Sequence, residues 1–168
     1  MRTAALAALA LTAACGHRAA PPREDRQQTI EGLSLSQSVA GEPAWTLRSR
    51  LARLHEDEKT ASLDAPTMEF YRDGKAVSRV TALSGEVATD THDVRLSSSV
   101  VLDSFDDHSI LRTDRLLYSS QRARFHTESA VRIDRPGAVI RGEGMEATPD
   151  LSEIRIFRQR SEITGNPR

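Results

Sequence analysis

The sequence predicts an all-β protein assembled from successive antiparallel hairpins, and three observations carry that expectation. Apolar and polar residues alternate with a period of two along the strand-like runs, a hairpin turn is signalled at Asp73-Gly74, and a unit of about 30 residues repeats in the second half.

The elements follow in chain order. Trp45-Thr46-Leu47-Arg48-Ser49-Arg50-Leu51 alternates apolar with polar side chains, the pattern of a strand with one buried face. Folded structure is expected to begin there. Residues 51–54 have the spacing to extend as a helical turn, and acidic Glu56-Asp57-Glu58 reads as a solvated loop. Ala61 and Leu63 open a second strand. Met68-Glu69-Phe70-Tyr71 and Ala76-Val77-Ser78-Arg79-Val80 then flank Arg72-Asp73-Gly74-Lys75. Asp-Gly between two such runs fits a type I′ turn, whose central residues both need positive φ. No stretch after the N-terminal segment reads as a long helix.

The repeat organises the second half. One period on from Val80, Val94, Val100 and Leu102 stand Leu111, Phe125, Val131 and Ile133. A further period on from Leu111, Leu116, Phe125 and Thr127 stand Ile140, Met145, Ile154 and Ile156. A unit runs out from Leu111 to Tyr118, turns at Ser119-Ser120-Gln121-Arg122 and returns from Ala123 to Thr127. Within successive units Val80 and Gly85, Leu111 and Leu116, and Ile140 and Met145 are an odd five residues apart. Strict pleating would put each pair on opposite faces, so either both faces are contacted there or a bulge restores the face; the bulge is expected, where the sheet must twist or curl.

Composition narrows the function classes. The 168 residues carry a net charge of −1, so no long-range field draws nucleic acid or an acidic surface. Mean hydropathy is −0.46, and no apolar run approaches the roughly 20 residues of a bilayer-spanning helix. The N-terminus has a layout of its own: Met1-Arg2-Thr3, an apolar run from Ala4 to Ala14, then Cys15, the only cysteine. Leu11-Thr12-Ala13-Ala14-Cys15 resembles a bacterial lipobox, in which small residues fit the signal peptidase and the cysteine thiol takes a diacylglycerol. The expectation is a signal peptide over 1–14 and a mature chain that starts with lipidated Cys15 outside the cytoplasm; an ordinary signal with an incidental cysteine is the alternative. A single thiol leaves no internal disulfide, Cys-rich zinc site or redox pair. Residues 15–43 read as the lipidated N-terminus and a polar tether, within which Ile30, Leu33, Leu35 and Val39 have a weak alternation suited to a short docking strand. The folded domain is placed at 44–168.

Reactive chemistry is sparse. His17, His55, His92, His108 and His126 are scattered without ligand spacing, so no metal site is expected. Asp106-Asp107-His108-Ser109 reads as a polar hairpin turn. Gly142-Glu143-Gly144 lacks the third glycine and following helix of a dinucleotide loop, and is expected to permit a bend or a close backbone approach. Ser97-Ser98-Ser99 has no nucleophile-elbow context. Neither an enzyme nor a cofactor is expected. One Trp and two Tyr are too few for the stacking platform of a carbohydrate-binding module.

Several motifs, in order, carry a family resemblance: Trp45-Thr46-Leu47, Phe70-Tyr71-x-x-Gly74, Ala82-x-Ser84-Gly85-Glu86-Val87, Leu111-x-Thr113-Asp114-x-Leu116-x-Tyr118, Thr127-x-x-x-Val131 and Ile140-x-Gly142-x-Gly144-Met145. Together they resemble the LptC-type periplasmic bridge proteins of lipopolysaccharide export, relatives of LptA and of the N-terminal domain of LptD. The resemblance implies a twisted, open β-jellyroll. It implies that lipopolysaccharide is accepted from an inner-membrane ABC transporter and passed to an LptA-like protein through edge-to-edge sheet contact. Members typically carry an N-terminal transmembrane helix, whereas this chain has the lipobox-like signal and Cys15. Gly16 is not the aspartate associated with inner-membrane retention in some bacteria; the inner membrane is expected because the transporter is there, with the outer membrane as the alternative.

On that reading the acyl chains of lipid A would be lined by Leu96, Val100, Leu102, Leu111, Phe125, Val131, Ile133 and Ile140, although plain core packing is the better account of any single one of them. The last strand, with Ile154, Ile156 and Phe157, is the expected docking edge. Arg112, Arg115, Arg124, Arg132, Arg135 and Arg141 read as a solvated outer face, with pairing to lipid A phosphates as the minority reading. The rival function is a structural envelope lipoprotein that carries no lipid.

Overall fold

The fold is that of a computed structural model in which residues 28–163 are described; Cys15, His17 and the signal and anchor expectations lie outside them. Among these residues eleven antiparallel strands form one sheet: β1 (Gln28–Val39), β2 (Glu42–His55), β3 (Thr60–Asp64), β4 (Thr67–Arg72), β5 (Lys75–Thr81), β6 (Ser84–Ala88), β7 (Val94–Ser104), β8 (Ile110–Ser119), β9 (Arg124–Arg135), β10 (Ala138–Ala147) and β11 (Ile154–Ile163). The all-β expectation is borne out, and the sheet is a twisted jellyroll.

The sheet is folded across its strands. Residues 51–55 of β2 pair with β3, whereas residues 45–48 pair with β4. The same division recurs at β7, whose residues 94–97 pair with β6 and whose residues 101–104 pair with β5. The two interruptions fall at Ala65-Pro66 and Ala82-Leu83. Register shifts at Ser97/Val100, Thr113/Leu117 and Glu143/Met145 carry the line on through β7, β8, β9 and β10. Positive φ at Ala65, Ser98, Ser99 and Gly144 marks the same crease. Pro66 has no amide hydrogen to give a ladder, and extra residues at bulges bend the strands that carry them.

A crease strands backbone polar groups in the interior, and buried hydroxyls take them up. Ser49 Oγ donates to the Asp64 carbonyl at 2.8 Å and accepts from the Asp64 amide at 3.1 Å. Thr113 Oγ1 donates to the Ala130 carbonyl at 2.9 Å. Thr127 Oγ1 donates to the Arg115 carbonyl at 2.6 Å and accepts from the Ser129 amide at 3.1 Å. Thr127→Val keeps the shape and removes both bonds, so it should cost about 1–3 kcal/mol in chemical denaturation. An unchanged midpoint would show that the crease does not depend on this hydroxyl.

Ring contacts prove the doubling back. Phe70 on β4 and Phe125 on β9 have three strands between them in the sheet, which flat would hold them about 19 Å apart. Their ring centroids lie 5.3 Å apart. Trp45 meets Tyr118 at 6.2 Å, and Phe70 meets Tyr118 at 4.9 Å. These four aromatics stand at the strand ends remote from the crease and join one layer to the other.

The local expectations divide. Asp73 (φ 52) and Gly74 (φ 72) make the turn between β4 and β5 as expected. The Glu56-Asp57-Glu58 loop is exposed, and Asp106-Asp107-His108-Ser109 is the turn between β7 and β8. The bulges inferred from Leu111/Leu116 and Ile140/Met145 are present as the register shifts at Thr113/Leu117 and Glu143/Met145. Val80 and Gly85 need a correction: they belong to different strands, β5 and β6, because the chain breaks there instead of bulging. Residues 51–54 are strand, since pairing to both β1 and β3 overrides any helical spacing. Ordered structure also starts before Trp45. The alternation at Ile30, Leu33, Leu35 and Val39 is a full strand along β2, weakly patterned because it lies at an edge and buries little.

Candidate functional site

One row of side chains crosses the folded sheet from β1 to β10. Leu35, Leu47, Met68, Val80, Leu102, Leu111, Ile133 and Ile140 are successive cross-strand partners from β1 to β10. Period-two alternation in each strand turns all of them to the interior. From Leu47 to Ile133 they are 0% exposed, whereas Leu35 and Ile140 at the two ends are half-buried. The facing layer supplies a second row, Leu54, Ala61, Val87, Val94, Tyr118, Phe125, Ala147 and Ile154, again in register. Burial pushes the Tyr118 hydroxyl up to about 12, with the Asp93 charge adding to it, so this side chain stays neutral inside.

All eight expected lining residues meet in this interior. Leu102, Leu111, Ile133 and Ile140 belong to the first row and Phe125 to the second. Leu96 lies beside the crease in the second layer, and Val100 and Val131 flank Thr113 on the first. Seven are buried in one core; Ile140 packs against it. The core between the layers is thus predominantly apolar and is covered along its middle. Leu35, Leu47, Met68 and Val80 complete the row and were not among the expected lining residues, although their own alternation places them on this face.

The outer face carries charge. Arg112 and Arg132 pair with Asp134 at 2.6 and 2.7 Å, and the Arg132 hydrogen bond holds the Asp134 carboxyl below its usual range. Arg112, Arg132 and Arg141 are exposed cross-strand neighbours, as expected for a solvated face. Among the described residues no group of three or more His, Cys, Asp and Glu is placed to hold a metal ion.

A loop crosses the margin opposite the crease. Residues 148–153 join β10 to β11, and Leu151 within them is fully buried in the core with φ 58. Asp150 pairs with Arg72 at the end of β4. Its carbonyl accepts from Ser104 Oγ on β7 at 2.8 Å, while the Leu151 carbonyl accepts from Arg135 on β9 at 3.2 Å. Burial would raise the Asp150 carboxyl, but hydrogen bonds from the Thr148 hydroxyl and the Ser152 amide and hydroxyl, with the Arg72 charge, outweigh it and hold the pKa at about 2. A carboxyl depressed in the folded state stabilises above its unfolded pKa and ceases to as pH falls through the folded value. The thermal midpoint of the wild type should therefore exceed that of Asp150→Asn at pH 7 and converge on it between about pH 4 and pH 2.

Comparison with known families decides the kinship. The profile of the family described as lipopolysaccharide-assembly, LptC-related, matches residues 5–161. The chain belongs to the LptC-related family. No curated protein matches it. Membership in the LptC-related family places the chain in lipopolysaccharide transport as a periplasmic bridge, and transport, not catalysis, is that family's role.

The two sheet edges of this LptC-related chain are β1 and β11. Among the described residues β1 pairs only with β2, and β11 only with β10. Of the three residues expected at the docking edge, Ile154 and Ile156 turn inward and pack against the core, while Phe157 is half-exposed over Gly144.

Proposed function

We propose that the chain accepts lipopolysaccharide from an inner-membrane ABC transporter and hands it to an LptA-like jellyroll paired along β11. The observation that carries this reading is the pair of in-register apolar rows, one reaching the β1 edge at half-buried Leu35 and the other the β11 edge at half-buried Ile154. A strand added to an edge continues the row, because cross-strand partners share a face. No charged or catalytic group is needed to hold the cargo: each acyl methylene moved from water into such an interior is worth about 0.8 kcal/mol. Lipidation at Cys15 would keep the chain at the membrane from which the lipid comes, with the polar stretch after it as tether.

The covered middle of the row favours the rival reading, an envelope scaffold that carries no lipid. Photo-crosslinking separates the two. Probes placed at Leu111 and Phe125 should capture lipopolysaccharide in cells with the transporter active; absence of adducts at both would support the scaffold. Removing residues 153–168 should abolish capture of LptA, and retained capture would move the docking edge elsewhere.

A further inference from the structure

We propose that loop 148–153 is a strap that closes the interior at the margin opposite the crease, and that Leu151 holds the place an acyl chain takes when the strap lifts. The inference rests on the reading that this interior receives acyl chains, and it adds how they enter: sideways, past one loop.

Three observations converge. The loop leaves β10 in one layer yet is fastened to three strand ends of the other: Asp150 to Arg72 on β4, the Asp150 carbonyl to Ser104 on β7, and the Leu151 carbonyl to Arg135 on β9. Those bonds span the gap between layers and belong to no sheet ladder, so they can be released without unpairing a strand. Leu151 is the second. It is an apolar side chain in the polar run Thr148-Pro149-Asp150-Leu151-Ser152-Glu153, and it is inserted into the core at 0% exposure. The third is its backbone. A φ of 58 costs a non-glycine residue about 1–2 kcal/mol, and such strain persists only where the surroundings enforce it. Lifting the loop relieves this strain and vacates a place in the buried core.

The loop is also internally built, which suits a part that moves as one piece. Thr148 Oγ1 donates to Asp150 at 2.7 Å, Ser152 Oγ donates to Asp150 at 2.8 Å, and the Glu153 amide donates to Thr148 Oγ1 at 3.0 Å. Arg72 is shared with Asp106 of the β7–β8 turn, so the latch is a two-carboxylate clamp on one guanidinium. Both carboxylates keep a cation in place when the strap is down.

The test locks the strap reversibly. The mature chain carrying Cys15→Ser, Arg72→Cys and Asp150→Cys is closed with a disulfide-containing bismaleimide and reopened with dithiothreitol, and dansyl-undecanoic acid reports apolar uptake by fluorescence. Association should slow about tenfold or more in the locked form and recover on reduction, because a closed protein binds in proportion to its open fraction. Asp150→Ala in the otherwise unmodified chain should speed it. Circular dichroism on the bridged and reduced forms reports whether each is folded. Equal rates before and after reduction overturn the strap and leave interior binding standing. No uptake by any form overturns both.

Discussion

Phe125→Ala should cost about 3–5 kcal/mol of folding free energy, at the upper end of what a single aromatic truncation removes. The reason is position as much as size. Phe125 is 0% exposed and contacts Phe70 and Tyr118 at 5.3 Å each, with interplanar angles of 76° and 55°. Edge-on ring pairs contribute about 0.5–1.5 kcal/mol apiece beyond burial, and the Phe70 contact joins the two layers. Against a net stability of about 5–15 kcal/mol the loss is large, and a fall in thermal midpoint of roughly 10–20 °C should register it. Phe125→Leu restores most of the volume and should recover more than half. A loss below about 1 kcal/mol for the alanine variant would mean that the layers do not rely on this contact.

Gly142→Val should peel β11 from β10. The backbone at Gly142 is ordinary, so the constraint is space: an added Cβ would stand 2.3 Å from Ile156 Cγ2 and 2.7 Å from the Arg158 carbonyl oxygen. A side-chain methyl can turn aside; a main-chain carbonyl in a paired strand yields only if the strands part. The expected cost is about 1–3 kcal/mol of overpacking localised on β11. Hydrogen exchange of residues 154–163 should quicken by roughly ten- to a hundredfold while β2, β7 and β8 keep their protection. Capture of an LptA-like partner should fall with it. Gly144→Ala differs in kind, because φ 77 and the Phe157 ring at 2.7 Å both oppose the substitution. Unchanged exchange in β11 of Gly142→Val would show that the tight approach is not needed.

What was legible in the sequence was whatever is written within one strand or one turn. Asp73-Gly74 carries its own turn geometry, and alternation from Trp45 to Leu51 places Leu47 and Ser49 inward without reference to any partner. The repeat was legible because successive hairpins reuse one register: Leu102, Leu111 and Ile133 are cross-strand partners. The odd spacing of Leu111 and Leu116 betrayed a bulge because burial on one face is a local demand. The crease was not legible. It exists only once β3 and β4 share β2, and Ser98 and Ser99 adopt positive φ because pairing on both sides requires it, not because serine prefers it. Leu151 escaped for a related reason. Its loop reads as polar, and one leucine between Asp150 and Ser152 gains meaning only when Arg72, Ser104 and Arg135 are brought opposite.

The crease has a thermodynamic consequence. Since β2, β7, β8, β9 and β10 each contribute to both layers, no layer owns its strands, and neither can melt while the other persists. Heat should take the described region apart in one step, with calorimetric and van't Hoff enthalpies in agreement, unlike a sandwich of two separately wound sheets.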